Sequence, residues 1–188
     1  MSATPDDRRQ RLSTFFEQQE TRAYKMAYAM TRNRDDALDI VQDSMLRLAS
    51  RYADRDDGEW LLLFYRILNN RIRDFLRRRK LWRWLPGFGS QAADREDEPQ
   101  ATEAPDAPPT DGPDGTLQQQ QQLERIHQAL GRLPLRQQQV FLLRAWQEFS
   151  TAETAGALGI SEASVKTHYR RALQQLRLQL GNRTGVTA

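Results

Sequence analysis

The chain has 188 residues, 28 Lys and Arg against 25 Asp and Glu, and a 38% hydrophobic share, which favours two modest helical cores over one large core. The absence of cysteine excludes disulfides and thiolate metal sites and suits a reducing compartment. No apolar run approaches a membrane span and residues 1–10 are too polar for a signal peptide, so the expectation is a cytoplasmic protein without membrane insertion.

The net charge of +3 conceals a pattern. Residues 1–80 hold 17 basic against 13 acidic side chains, residues 81–116 hold 2 against 8, and residues 117–188 hold 9 against 4. Two basic blocks thus flank an acidic tether. The blocks suit a polyanion such as nucleic acid, which would repel the tether.

Residues 1–7 read as disordered. Leu12, Phe15, Phe16, Ala23, Met26, Ala27 and Met30 then mark a long amphipathic helix that breaks at Asn33–Asp36. Asp35 or Asp36 is the expected cap of the next helix, whose core stripe is Ala37, Ile40, Val41, Met45 and Leu48. Asp39, Gln42, Asp43 and Leu46 fall outside that stripe, and on spacing alone they read as solvated surface.

A charged loop over Tyr52–Glu59 precedes a third helix with the apolar face Leu61, Phe64, Tyr65, Leu68, Ile72, Phe75 and Leu76. Its other side carries Arg66, Asn69, Asn70, Arg71, Arg73 and Asp74 and runs into Arg77, Arg78, Arg79 and Lys80. Trp60 stands where loop becomes helix. Basic and amide groups beside aromatics are the ingredients of a single-strand site, because phosphates take the charge while unstacked bases stack or pair with side chains. Trp82 and Trp84 either pack on the domain or anchor a partner; spacing leaves both open.

Residues 89–116, rich in Pro, Gly, Ala and acids, have no apolar period and read as disordered. The glutamines at 118–122 open a helix with the stripe Leu123, Ile126, Leu130 and Leu133. Pro134 starts another, and Val140, Phe141 and Leu143 fill a second core.

The stretch Phe149–Arg177 reads as a helix-turn-helix. Ser150 and Glu153 have capping-box spacing, Gly159 ends the first helix, Ile160 pins the turn, and Ser161 caps the second helix. Val165, Tyr169, Leu173, Leu176 and Leu180 form one expected buried stripe, with Lys166, Thr167, Arg170 and Arg171 mostly off it. An apolar back with a basic, hydroxyl-bearing front is what reading a major groove requires.

Together these motifs resemble an alternative sigma factor of bacterial RNA polymerase, of the extracytoplasmic-function type. DALDIVQDSMLRL at 36–48 resembles the family's polymerase-binding helix, which implies that Asp39, Gln42, Asp43 and Leu46 contact core polymerase and reverses their reading as plain surface. FYRILNNRIRDFLRRRK at 64–80 is similar to the helix that reads the minus-10 element, implying promoter contacts by Arg66, Asn70 and Arg73, with Trp60 added as a minus-10 candidate. The stretch 130–177 resembles the minus-35-binding domain, with Lys166, Thr167, Arg170 and Arg171 as the contacts.

The sequence departs from the family in three places. Leu63 stands where Trp usually precedes the YRI segment, with Trp60 displaced upstream; the preceding loop is about one residue short and lacks the usual Phe-Arg-Gly; and Thr154 occupies a commonly aliphatic position. The implied organisation is all-α: region 2 over 8–88, a flexible acidic linker over 89–116 and region 4 over 117–181. The implied partners are core RNA polymerase, promoter DNA and, as is common in the family, an anti-sigma factor. The implied linker path is a basic polymerase channel.

A free-standing helix-turn-helix regulator is the alternative, since SVKTHYRRALQQL also resembles the recognition helix of quorum-sensing-type activators. It leaves the helix at 36–48 without a purpose. An enzyme fits badly: the two histidines, His127 and His168, have no metal spacing, and no Gly-rich phosphate loop or nucleophile motif is present, so no cofactor, metal or catalytic residue is expected. His127 reads as a helix-surface residue and His168 as a flank of the DNA helix.

Overall fold

The computed structural model describes residues 5–82 and 117–181. The expected tether at 89–116, Trp84 and the residues before position 5 lie outside the described residues. Among the described residues, seven α-helices and one π-helical turn build two units. The N-terminal unit comprises α1 (Pro5–Thr31), α2 (Arg34–Tyr52) and α3 (Asp57–Trp82). The C-terminal unit comprises α4 (Leu117–Gly131), α5 (Leu135–Phe141), the π turn Leu142–Trp146, α6 (Thr151–Leu158) and α7 (Glu162–Gly181).

Local chemistry sets the breaks. Arg32 takes a left-handed conformation with φ 58°, and its N–H closes on the Tyr28 carbonyl at 2.9 Å, which ends α1. The α2 cap is Asn33, ahead of the aspartates expected: its Oδ1 accepts the Asp36 N–H at 2.9 Å, leaving Asp35 and Asp36 in the first turn, where carboxylates favour the helix dipole. The Asp56 carboxylate accepts the Gly58 N–H at 2.8 Å and so turns the chain into α3. Pro134 precedes α5 and its carbonyl accepts the N–H groups of Gln137 and Gln138.

In the N-terminal unit α2 packs on both α1 and α3, burying Met26, Leu48, Phe64, Tyr65, Leu68 and Ile72. In the C-terminal unit α5 and α6 pack on α7 around Leu130, Val140, Leu142, Leu143 and Val165. The sequence predicts two separate cores; instead the units dock, α6 on α3 and α4 on α1, and the buried apolar side chains form one continuous cluster.

This seam is rich in glutamine. Gln147, buried, accepts from the Tyr65 hydroxyl at 2.8 Å and donates to the Arg22 carbonyl at 3.2 Å. Gln138 and Gln139 donate to the carbonyls of Ala29 and Asn69 at 3.3 and 3.5 Å. Arg32 pairs with Glu124 at 2.7 Å. His127 is only 5% exposed, edge-on to Tyr28, so the surface position expected for it does not hold. Burial, with Arg32 adding to it, pushes its pKa below the ordinary value despite Glu124.

Candidate nucleic-acid interface and docking helix

The helix-turn-helix is built by side-chain capping. Ser150 Oγ accepts the Glu153 N–H at 3.1 Å and a Glu153 carboxylate oxygen accepts the Ser150 N–H at 2.7 Å, a complete capping box. Those hydrogen bonds from Ser150 hold the Glu153 carboxyl below its usual pKa. Thr154 is fully buried without penalty, since its hydroxyl donates to the Ser150 carbonyl at 2.8 Å. That bond explains why a polar residue is accommodated at a commonly aliphatic position.

Gly159 adopts φ 63° and ψ 41°, a left-handed conformation that costs a residue with a Cβ roughly 1–2 kcal/mol. Ile160 then closes on the Ala155 carbonyl at 3.2 Å, and Ser161 Oγ accepts the Ser164 N–H at 3.2 Å to start α7.

On α7, Val165, Ala172 and Leu176 are buried, and Tyr169 is stacked on Phe141 with the Arg144 guanidinium 5.6 Å from its ring centre. The stripe is shorter than expected. Leu180 is 41% exposed and Leu178 is exposed beside it, because α7 outruns α5 and α6 near its C-terminus, whereas Ala172 supplies a core contact that a search for large apolar residues overlooks. Lys166, Arg170 and Arg171 are exposed and Thr167 is half-buried, which leaves a basic front on the N-terminal half of the helix.

On α3, Asn70 and Arg73 are exposed and share with Arg66 a groove of about 310 Å³. Arg47, Arg51 and Tyr52 of α2 line the same groove. Sequence reasoning missed them. Their signal is the spacing of four between Arg47 and Arg51, which puts both guanidinium groups on one face of α2. Asn69, expected on the basic side, is buried and donates to the Tyr65 carbonyl at 2.8 Å. Arg66 is turned toward the C-terminal unit, donating from Nε and Nη2 to the Gly156 carbonyl at 3.1 and 2.7 Å.

Trp60 does not reach this groove. It is 2% exposed, its indole N–H donates to the Tyr52 carbonyl at 3.1 Å, and its ring meets Phe15 edge-on at 5.9 Å. The expected base contact is therefore corrected to a core anchor: a side chain with both faces covered offers none to a base.

The four docking residues of α2 lie together. Asp39, Gln42, Asp43 and Leu46 line one open cleft of about 450 Å³ with Arg71 and Phe75 of α3. Leu46 is 69% exposed, and Asp43 is paired with Arg71 across the cleft. Burial raises the Asp36 pKa at the cleft edge; Arg79 opposes the shift, while Asp39 and Asp35 add to it. The patch combines an apolar tip with acidic and amide rims, chemistry suited to a basic, amphipathic helical partner. Among the described residues, no helix is long and apolar enough to cross a membrane.

Comparisons with known proteins agree with this layout. Residues 15–82 match the family described as sigma-70 region 2, and residues 123–176 match sigma-70, region 4. The chain is 30% identical over 160 residues to the RNA polymerase sigma factor SigV of Bacillus subtilis (strain 168), covering 84% of this chain and 83% of that one. It is 32% identical over 145 residues to the RNA polymerase sigma factor NccH of Alcaligenes xylosoxydans xylosoxydans, covering 75% and 71%. The fold is shared with CnrH, solved in complex with the cytosolic domain of CnrY, at a TM-score of 0.59 and 22% identity over 92% of this chain and 88% of that one. It is shared too with the sigma factor RpoE of Bartonella quintana, solved with the anti-sigma factor NepR, at a TM-score of 0.61 and 20% identity over 89% and 97%. With a region 2 unit built on α1–α3, a region 4 helix-turn-helix, and a relative such as SigV aligned across most of both chains, this protein belongs to the RNA polymerase sigma factors of the extracytoplasmic-function type.

Proposed function

We propose that the chain docks on core RNA polymerase through Asp39, Gln42, Asp43 and Leu46, reads the minus-10 element with Arg66, Asn70 and Arg73, and reads the minus-35 element with Lys166, Thr167, Arg170 and Arg171. The observation that carries this reading is the exposed basic front of α7 on a capped helix-turn-helix, in a chain that presents a second basic groove on α3. One surface serves duplex DNA and the other an opened strand. The work is recognition and strand capture, and catalysis is left to the polymerase, so the protein acts without a cofactor, in the cytoplasm.

Domain boundaries at 8–88, 89–116 and 117–181 follow from this division of labour. An anti-sigma partner fits the same surfaces, as CnrY and NepR accompany the two solved neighbours. The test is transcription from a randomised promoter library by purified core polymerase. Adding the chain should select a subset of templates that share two elements, and Arg170→Ala should relax selection at the upstream element only. Templates selected equally without the chain, or duplex binding that gains nothing from core polymerase, would favour a free-standing regulator.

A further inference from the structure

The seam between the two units carries chemistry that promoter recognition leaves unused. Arg66, assigned above to the minus-10 groove, spends two donors on the Gly156 carbonyl of α6. Gly156 permits the close approach, since a Cβ there would stand 3.2 Å from Leu62 Cδ2. Beside it, Tyr65 and Gln147 are joined by a 2.8 Å hydrogen bond across the seam. The bridging side chains around it are largely amides. An amide bonded in the closed state bonds water when the seam opens, so separation costs far less than exposing an all-aliphatic face.

We propose that this seam is an autoinhibitory latch: in the free protein the helix-turn-helix unit docks on α3, takes the Arg66 guanidinium away from the groove, and swings off before a promoter is engaged. The inference rests on the assignment of Arg66 to the minus-10 element. Geometry requires the opening. The two elements are centred about 25 base pairs apart, or roughly 85 Å at about 3.4 Å per pair. Units held by direct hydrogen bonds of 2.7 to 3.1 Å do not sit on both elements of an extended duplex at once. Whatever fraction of the protein is closed is lost to single-strand binding, and apparent affinity falls by that fraction. Core polymerase and promoter, binding only the open form, then draw the equilibrium over.

The chain lacks cysteine, so Ser50→Cys and Gln174→Cys, both placed away from the seam, accept a pair of distance-reporting dyes on the full-length protein. Two variants attack the latch from different sides. Gly156→Gln places a side chain against Leu62 while improving the helix propensity of α6, and Gln147→Ala removes the bond to Tyr65. The readouts are interdye distance and affinity for a short labelled single strand carrying the minus-10 sequence selected by the transcription assay, with circular dichroism confirming helix content.

Each variant should lengthen the distance and tighten single-strand binding by about tenfold, equivalent to about 1.4 kcal/mol. Adding Arg66→Ala to Gly156→Gln should reverse most of that gain. Distances unchanged in both variants, or distances lengthened with affinity unchanged, would overturn the latch. Opening with a gain that Arg66→Ala leaves intact supports a latch that masks the groove and overturns the assignment of Arg66 alone.

Discussion

Trp60→Phe separates a core role from a base-stacking role. The indole is 2% exposed, donates to the Tyr52 carbonyl at 3.1 Å and meets the Phe15 ring at 5.9 Å. Phe preserves the edge-on aromatic contact but removes the donor, a loss of about 0.5–1.5 kcal/mol. The smaller ring also leaves a gap, and at about 24 cal/mol per Å³ of unfilled volume that adds about 1 kcal/mol. The sum is about 2 kcal/mol of destabilisation. With a urea slope of roughly 1 kcal/mol/M for a small helical unit, the denaturation midpoint followed by circular dichroism should fall by about 2 M. Trp60→Ala should cost more, about 3–5 kcal/mol. Single-strand affinity of the Phe variant, measured without denaturant, should match wild type. An unchanged midpoint together with weakened single-strand binding would refute the argument, because it would mean that the side chain leaves the core to stack on a base.

The docking helix, the cap and the recognition helix give three further outcomes. Asp43→Arg combined with Leu46→Ala breaks the pair with Arg71 and removes the exposed apolar tip, so co-purification with core polymerase should be lost while helix content stays normal; retained co-purification refutes the docking assignment. Ser150→Ala should destabilise the helix-turn-helix by about 1 kcal/mol through loss of the cap. Because Ser150 lowers the Glu153 pKa from its ordinary 4.5, the stabilisation from that carboxylate is present above pH 4.5 and fades as pH falls through the lower folded value, so the gap between wild type and Ser150→Ala in a pH series of thermal melts should narrow on acidification. A gap that widens in acid would contradict this. For Arg170→Ala and Arg171→Ala, a base reader should lose about 1–3 kcal/mol and relax specificity at one position, and a phosphate anchor should weaken all sequences and lower the salt slope by about one. Gel-shift titration of holoenzyme on minus-35 variants distinguishes them, and no effect from either change would remove α7 from the groove.

What could be read from the sequence was what neighbours along the chain determine. The Ser150–Glu153 box, the left-handed Gly159 and the Ser161 cap are each settled within about one helical turn, and each formed as the spacing predicts. The α2 cap was misplaced by two or three positions because Asn33, Asp35 and Asp36 all carry a suitable oxygen, and only the left-handed turn at Arg32 decides which one faces the free N–H groups. The misplaced site residues share a different cause. Trp60 lies under Phe15, Asn69 points to a carbonyl one turn back while Gln139 crosses to its own, and His127 lies against Tyr28. Periodicity assigns a residue to a face of its own helix, and it says nothing about which faces a second unit will cover. The docking of α6 on α3 depends on a glycine with no Cβ and on glutamines whose amides happen to meet carbonyls on the other unit. To a hydrophobicity pattern those residues look like solvent-facing positions. A seam that must open is built from such residues, since polar groups satisfied both by protein and by water let the units part without exposing a core. The chemistry that hides the seam from sequence reading is therefore the same chemistry that makes it reversible.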